Sequence, residues 1–541
     1  MIKNTIFLFF IAFYAKSQPC HLVKDIHVGG SSATSTFAQM GDRVYFWATK
    51  ENNERQMWSS DGNFSGTYPI TNLEITTNGT SSAPLVINDS LLIFYSFTWP
   101  TGNELWRSDG NFEAETMIAD LNPGSNGSLS LFGRSDGKYT YFLGGGGLQN
   151  DLYRTDGTAV GTILLKSGIK GFSNLVCMGG NAYFKVYFQG DTWLLKTNGT
   201  PSGTEIITKI QDQFVTTIPD NLVLFDGLLF FLKENDNESW GLWKTDGSIS
   251  GTEMIVQLNP PNVGHPHSLT VTKNRLYFIA NDGIDGSELR VSDGTQGGTY
   301  IVSDFSPIGA SASINYMTAL GKNLLFGCFD QDHGTELWIS DGSFSGTHLL
   351  KDIEPGSISS SPEFVFSQYV HLDSLLFFTA FTADFGKELW QTDGTADGTF
   401  MVQDICPGPC DSSPSNLFAF PGHGIFFSAY SSDWGREPWI YDPFNTSFVK
   451  PHPEVPGKSF SIFPNPSNQN LINLEWSENI SPSIVEIFDL HGRMLIYQKV
   501  EDVQKTSRLF LTELPTGMYF MKIRDASEKL IGAEKLVVQK N

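Results

Sequence analysis

A phrase recurs through most of this chain. From Glu336 to Thr347 it reads ELWISDGSFSGT, and worn copies run from near the N-terminus to about residue 442. Followed by its tryptophan position, the phrase occurs at Trp58, Trp106, Tyr153, Leu195, Trp243, Arg290, Trp338, Trp390 and Trp439. The steps between these positions are 48, 47, 42, 48, 47, 48, 52 and 49 residues. A fixed period near that length marks a repeat architecture, in which one supersecondary unit stacks on its neighbours.

Each period reads as four short strands. In the period that holds Trp338 they are Ile314 to Leu320, Leu324 to Phe329, Glu336 to Ser340 and His348 to Ile353. Turn residues separate them, as in an antiparallel meander. On the third strand Trp338 points to one face and Leu337 and Ile339 to the other. A sheet that is apolar on both faces has to lie between two others. The expected fold is therefore all-β: a single β-propeller of about nine four-stranded blades over residues 18–450. LVKDI, at Leu22 to Ile26, matches the fourth strand of a period, and the last period stops after its third. The N-terminal segment is thus expected to complete the last blade, with Ser447 to Lys450 as the other closing candidate. Eight blades plus an irregular one is the alternative count.

The Asp-Gly pair after the third strand has a local explanation. Glycine accepts positive φ, and aspartate caps its own turn. Asp61, Asp109, Asp156, Asp246, Asp293, Asp341, Asp393 and Asp442 hold the place, with Asn198 as the ninth. Asparagine keeps the turn bonds without the charge, so a turn role is favoured over a catalytic or metal role. Recurrence in every blade likewise makes the Trp column a packing device. The loops before the third strand, such as NDGIDGSELR from Asn281, gather acidic and Gly residues. Calcium at these loops is the alternative to a plain turn. No metal or cofactor-binding residue is assigned, since the acidic positions drift from copy to copy.

The chain has 541 residues and a net charge of −23. That charge argues against a nucleic-acid partner, and no Lys/Arg-rich run offsets it. Residues 1–17 read as a signal peptide: Lys3, an apolar run from Thr5 to Ala15, then Ala15-Lys16-Ser17 before Gln18. No later segment is apolar enough for a transmembrane helix. Of five cysteines, Cys406 and Cys410 share one loop (CPGPC) and can pair, with Cys20 as a competitor. Cys177 and Cys328 lie in strand-like runs and read as buried free thiols.

No catalytic residue stands out. His265 and His267 share one loop without a third ligand, Asp330 and Asp332 fit turns, and Arg290 reads as a packing variant. An enzyme is expected to break the repeat at one rim. The expected function is a non-catalytic binding, adhesion or structural platform, with a surface carbohydrate-active enzyme as the alternative. A surface glycan or protein is the expected ligand.

On these phrases residues 19–442 resemble the ELWxxDGT repeat proteins, which implies a bacterial exported propeller and no settled activity. Beyond a Pro-rich linker at 451–458, residues 459–541 leave the period and read as a small β-sandwich. They carry FPNPSNQNL from Phe463, VEIFDLHGRML from Val485, LPTGMYFMKI from Leu514 and a final EKLVVQK. In that order these resemble the type A sorting domain of the type IX secretion system. The resemblance rests on Pro464, Asn465, Pro466, Gly492, Arg493, Gly517, Tyr519 and Lys535. It implies the type IX machinery as partner, export across the outer membrane, and release or attachment at the cell surface.

Overall fold

The computed structural model describes residues 20–442, apart from 36, 72–83, 99–100, 113, 122–128, 146–150, 174, 212–221, 262, 285, 304–312 and 364–367, and seven strands with Leu514 between 460 and 538. The signal-peptide reading, the linker and the closing candidate Ser447 to Lys450 lie outside the described residues. Two compact units are present, one of them spanning Leu22–Asp442.

In that unit each period forms its own antiparallel sheet. The described residues give nine of them: 38–69, 85–119, 129–166, 169–211, 222–257, 267–303, 314–351, 369–403, and a ninth of 415–441 together with Cys20–Leu22. Strand order within a sheet follows chain order, except that the fourth sheet carries a fifth strand and the ninth is completed by Cys20–Leu22 beside Gly435–Tyr441. The four strands expected around Trp338 are present as Ile314–Leu320, Asn323–Asp330, Gly334–Ser340 and His348–Lys351.

The apolar alternation explains how the sheets pair. Leu337 and Ile339 are buried with Leu376, Phe378 and Trp390 of the eighth sheet. Trp338 packs the other way, against Tyr277, Leu289 and Val291 of the sixth. Comparable cores join the first sheet to the second through Trp47 and Phe94, and the fifth to the sixth through Phe230 and Phe278. Phe377 of the eighth sheet lies 4.9 Å from Tyr441 of the ninth, ring centre to ring centre. Phe420 and Phe426 of the ninth share a core with Val44, Phe46 and Trp58 of the first. Each such ring buries on the order of 150–250 Å² of surface, which makes these interfaces the main store of stability.

The first strands of neighbouring sheets run closest to one another; His267–Val271, for example, lies beside Ile314–Leu320, and Tyr369–Leu372 beside Ser415–Phe420. Fourth strands carry exposed apolar side chains such as Tyr68, Met254 and Phe400. First strands thus converge and fourth strands form the outer edge.

Cys406 and Cys410 form a disulfide with Cα atoms 5.3 Å apart, and Cys20 is buried and takes no part in it. Cys328 is buried, and burial pushes its thiol up to about 12. Cys177, expected to be buried, is exposed. It sits on the short strand Val176–Met178, where alternation turns its neighbours Val176 and Met178 into the core shared with the fifth sheet.

The second unit holds two antiparallel sheets, ordered Phe460–Phe463, Leu471–Trp476, Thr506–Phe510 and Met494–Lys499, Ile484–Phe488, Gly517–Arg524, Leu530–Val538. Val485, Ile487, Tyr519, Met521, Ile523, Leu536 and Val538 are buried in its core.

Candidate functional site

The recurrent residues are used up within the fold. In the Asp341 turn, the carboxylate accepts from Ser343 N at 2.9 Å and Ser343 Oγ at 2.7 Å. Ser343 Oγ accepts from Gly346 N at 3.0 Å, and Thr347 Oγ1 donates to Ser343 O at 2.7 Å. These bonds hold the Asp341 carboxyl below its ordinary range, the Ser343 hydroxyl first among the causes. Asn198 makes the same turn, accepting from Thr200 N at 3.0 Å. Gly342 takes φ 90°.

The turns also clasp neighbouring sheets. Arg107 Nη1 donates to Gly157 O at 3.0 Å, Arg154 Nε to Gly199 O at 2.9 Å, and Lys196 Nζ to Gly247 O at 3.2 Å. In each case a third-strand cation caps a carbonyl in the next sheet's turn. Phe64, Phe112, Ile249 and Phe344 project from turn tips and are exposed.

The glutamate of the phrase has a role that its sequence position hides. Glu104, Glu288, Glu336, Glu388 and Glu437 are fully buried. Glu336 accepts from Ile353 N and Ser360 N, both at 2.8 Å, and from Ser360 Oγ at 2.6 Å. Glu388 repeats this with Ile405 N at 3.2 Å and Ser412 N at 3.2 Å. Glu437 repeats it with Ile26 N at 3.0 Å and Ser32 N at 3.0 Å. A buried carboxylate is costly unless its oxygens are bonded, and here backbone donors of the connector bond them. Burial still dominates, pushing Glu388 and Glu437 up to about 7. The signal available in sequence was the spacing from Glu to Ile and Ser, which is 17 and 24 residues in two periods.

The first strands of the sixth to ninth sheets carry different side chains at one level. His267 pairs with Ile279, Asn315 with Gly327, Glu363 with Thr379 and Ser415 with Ser428. Those partners each follow the central Phe of a second strand, at Phe278, Phe326, Phe378 and Phe427, so the four residues stand at one level. Immediately after three of them the ladder shifts register. The extra residue there is left-handed each time: Ser268 at φ 59°, Tyr316 at 53° and Asn416 at 56°. A bulge of this kind turns a side chain away from the ladder and is common beside binding sites.

In this arc Asn315, Tyr316 and His267 are exposed. His267 Nδ1 lies 2.9 Å from Ser268 Oγ, and the surrounding protein lowers its pKa. His371 on the neighbouring strand Tyr369–Leu372 behaves alike: exposed, yet lowered by desolvation. Glu363 is neutralised by Lys387, 2.5 Å from its carboxylate. The Oε1 atom of Gln368 is buried without a hydrogen-bond partner.

Other residues weighed from sequence resolve as structure. Arg290 Nη2 pairs with Asp282 Oδ2 at 3.0 Å, filling the tryptophan place with an ion pair. Asp330 accepts from the backbone of Asp332 and His333 and from the His333 ring at 2.9 Å, closing its own loop. His265 packs edge-on against Trp240. Among the described residues no cluster of three or more His, Cys, Asp or Glu is arranged to hold a metal ion.

In the tail, Gly517 opens the strand Gly517–Arg524, Tyr519 is buried in the core, and Lys535 pairs with Phe520 across the ladder. Pro464, Asn465, Pro466, Gly492 and Arg493 lie outside the described residues. Residues 461–539 match the family of secretion system C-terminal sorting domains. The tail is a type IX sorting domain. By this sorting domain the protein engages the type IX machinery and is exported across the outer membrane, to be secreted or attached to the surface. No helix among the described residues is long and apolar enough to cross a membrane.

No curated protein matches the chain. Among solved structures, it is similar to one from a study of two prolyl endopeptidases, at 10% identity and a TM-score of 0.36, with 66% of this chain and 55% of that one covered. It is also similar to the β-propeller domain of the trilobed protease of Pyrococcus furiosus, at 11% identity, TM-score 0.32, and 68% and 97% coverage. Prolyl oligopeptidase B of Galerina marginata gives 13%, 0.36, and 74% and 56%. The chain thus spans little more than half the length of the peptidases. Likeness at this level carries no argument about activity.

Proposed function

We propose that residues 18–450 form one closed ring of nine blades of the ELWxxDGT type. The ring serves as a non-catalytic binding platform outside the outer membrane. One observation carries the closure. The segment from Leu22 to Ser32 does for the ninth sheet what Ile353 to Ser360 does for the seventh: Val23 N donates to Pro438 O at 2.9 Å, and Ile26 and Ser32 donate to Glu437. Lys24 Nζ then reaches Phe64 O of the first sheet at 3.3 Å, as Lys351 reaches Ala396 O of the eighth at 3.3 Å. The platform reading follows from the fate of the repeat. Its Glu, Trp and Asp-Gly residues are engaged in clasps, cores and turns, so specific recognition falls to the non-repeating arc. Residues 1–17 act as the signal peptide, 451–458 as a linker, and 459–541 as a removable β-sandwich that addresses the ring to the outside.

Top views of the purified full chain by electron microscopy test the ring. Nine blades are expected; two rings or an open arc would overturn it. Removing residues 459–541 is expected to strand the ring in the periplasm, and undiminished surface display would overturn the export route. A second reading, a carbohydrate-active enzyme, draws on Glu363, a carboxylate set at the same level as His267. Turnover of polysaccharide that is lost in Glu363→Gln would favour it.

A further inference from the structure

We infer that the hydroxyl residue ahead of each Asp-Gly or Asn-Gly turn is a chemical lock that keeps the turn from closing to a succinimide, and that Thr197 guards the most labile of them, Asn198-Gly199. The hazard is built into the repeat. The turn needs Asp or Asn for its side-chain oxygen and glycine for its positive φ, 85° at Gly199 and 90° at Gly342. In that same pair the backbone nitrogen most readily attacks the side-chain carbon, since glycine has no side chain to hinder it. At Asn198 a bond forms from Gly199 N to Cγ, the Cγ–Nδ2 bond breaks, and ammonia leaves with the amide proton. Water then opens the ring at either carbonyl, giving aspartate or isoaspartate. At Asp341 the same attack expels water, and reopening gives isoaspartate, which puts an extra methylene into the backbone of the turn. Asn198 is the more labile because its amide is uncharged and so the better electrophile. Exported across the outer membrane, the protein is out of reach of cytoplasmic repair.

The eight turns that follow third strands share one device. Ser or Thr stands before the pair in all eight, from Ser60 to Thr392, and each is buried. Each hydroxyl oxygen accepts from the glycine N–H two residues on, at 3.0–3.1 Å. The ninth copy sharpens the pattern. There Asp442 is followed by Pro443, which has no N–H, and the residue before it is Tyr441 rather than Ser or Thr.

The bonds run in one direction. Thr204 Oγ1 gives its proton to Thr200 O at 2.7 Å, so the Thr197 hydroxyl gives its own to Thr204 Oγ1, also at 2.7 Å. Thr197 Oγ1 therefore meets Gly199 N, 3.0 Å away, with a lone pair. The nitrogen must shed its proton to attack, and this buried acceptor holds the proton in place. The other reactant is held as well: Asn198 Oδ1 accepts from Thr200 N at 3.0 Å and from Thr200 Oγ1 at 2.7 Å. Ser340 repeats the arrangement through Thr347 and Ser343 O. There the turn's donors, the Ser343 hydroxyl first, hold the Asp341 carboxyl below its ordinary range. The ionised form that they favour is a poorer electrophile than the acid.

The test is ageing of the folded full chain at neutral pH and physiological temperature, with the guanidinium-unfolded chain as reference. Peptide mass spectrometry reads deamidation at Asn198 and isoaspartate at the Asp-Gly pairs. Thr197→Val is expected to speed deamidation of Asn198 about fivefold or more, as the loss of one neutral hydrogen bond implies. Thr197→Ser, the residue that other sheets use here, is expected to keep the parent rate. In the parent, isoaspartate is expected at Asp226 before Asp341, because Asp226-Gly227 follows Phe225 and has no such hydroxyl. Thermal melts and an unchanged rate at Asp341 establish that the variant is folded. Ser340→Ala, read at Asp341 against Asp393, is the second variant should Thr197→Val fail to fold. A parent that deamidates at Asn198 as fast folded as unfolded would overturn the inference, as would a folded Thr197→Val that ages at the parent rate. Equal acceleration at every turn would also overturn it, since that marks a loosened sheet rather than a lost lock.

Discussion

Glu437 accepts a hydrogen bond from the backbone of Ile26 at 3.0 Å, across 411 residues of sequence. The same carboxylate takes His27 N at 3.3 Å and Ser32 N at 3.0 Å. Three backbone donors of the N-terminal segment therefore depend on one side chain in the last third strand. Removing it leaves Ile26 N buried and unbonded and His27 N partly so, at about 1–3 kcal/mol for each orphan that water cannot reach, and opens a cavity beneath Ser32, whose N–H keeps only Arg436 O at 3.0 Å. Glu437→Ala is expected to lower the stability of the 22–442 unit by about 3–5 kcal/mol in urea unfolding. Glu336→Ala, at the equivalent clasp, is expected to cost about as much. A loss under about 1 kcal/mol for Glu437→Ala alone would mean that the N-terminal segment does not hold the last sheet.

Much of this was legible in the chain and some was not, for reasons that can be named. The period, the four strands around Trp338 and the Asp-Gly turn are local, since each depends on residues a few places apart. Glu336 was illegible because a carboxylate on a strand resembles a solvent-facing residue, and its donors lie in another segment. The arc was hidden for a similar reason. Ser268, Tyr316 and Asn416 become equivalent only once each bulge is counted in the ladder. Cys177 is exposed because strand alternation sends its neighbours Val176 and Met178 to the core and Cys177 away from it, a choice of face that the apolar run VCM does not reveal.

The buried glutamates give stability a pH dependence with a definite sign. Glu388 and Glu437 rise from 4.5 to about 7 on folding, because burial disfavours the charged form. Between those values the folded state holds the proton more firmly than the unfolded one. Stability from these two groups is therefore fully present below about pH 4.5 and is lost as pH rises through 7. Each group's share is about 3 kcal/mol at most. The melting temperature is expected to fall between pH 5 and pH 8, and Glu388→Gln is expected to flatten that slope. A slope unchanged in the variant would show that Glu388 is not its source.

The Asp341 turn separates geometry from charge. A Cβ placed on Gly346 would fall on the Asp341 carboxylate, whose Oδ1 already takes Ser343 N at 2.9 Å. Gly346→Ala must therefore break the turn or push the carboxylate out, at a cost of about 1–3 kcal/mol. Asp341→Asn keeps the acceptor and is expected to cost under about 1 kcal/mol, as Asn198 in the fourth sheet already serves in this place. Paired denaturation curves check both. Equal losses would show that the charge, not the space, governs the turn.

Ala33 follows the clasped Ser32 and takes φ 46°, matching Ser361 at 45° and Ser413 at 42° after the serines held by Glu336 and Glu388. The chain needs a left-handed residue there to leave the connector and enter the next first strand. Alanine fits that region poorly, since its Cβ crowds the following carbonyl, whereas glycine adopts it freely. Glycine also gives the unfolded chain more freedom, which offsets part of the gain. Ala33→Gly is therefore expected to raise stability by about 0.5–1 kcal/mol, because Ala33 is exposed and loses no packing. The same change at Val160, an exposed residue with no positive φ, should lower stability or leave it unchanged. If Ala33→Gly also destabilises, the N-terminal segment does not enter the first sheet through this left-handed step, and the likeness of its connector to those after Glu336 and Glu388 fails at that residue.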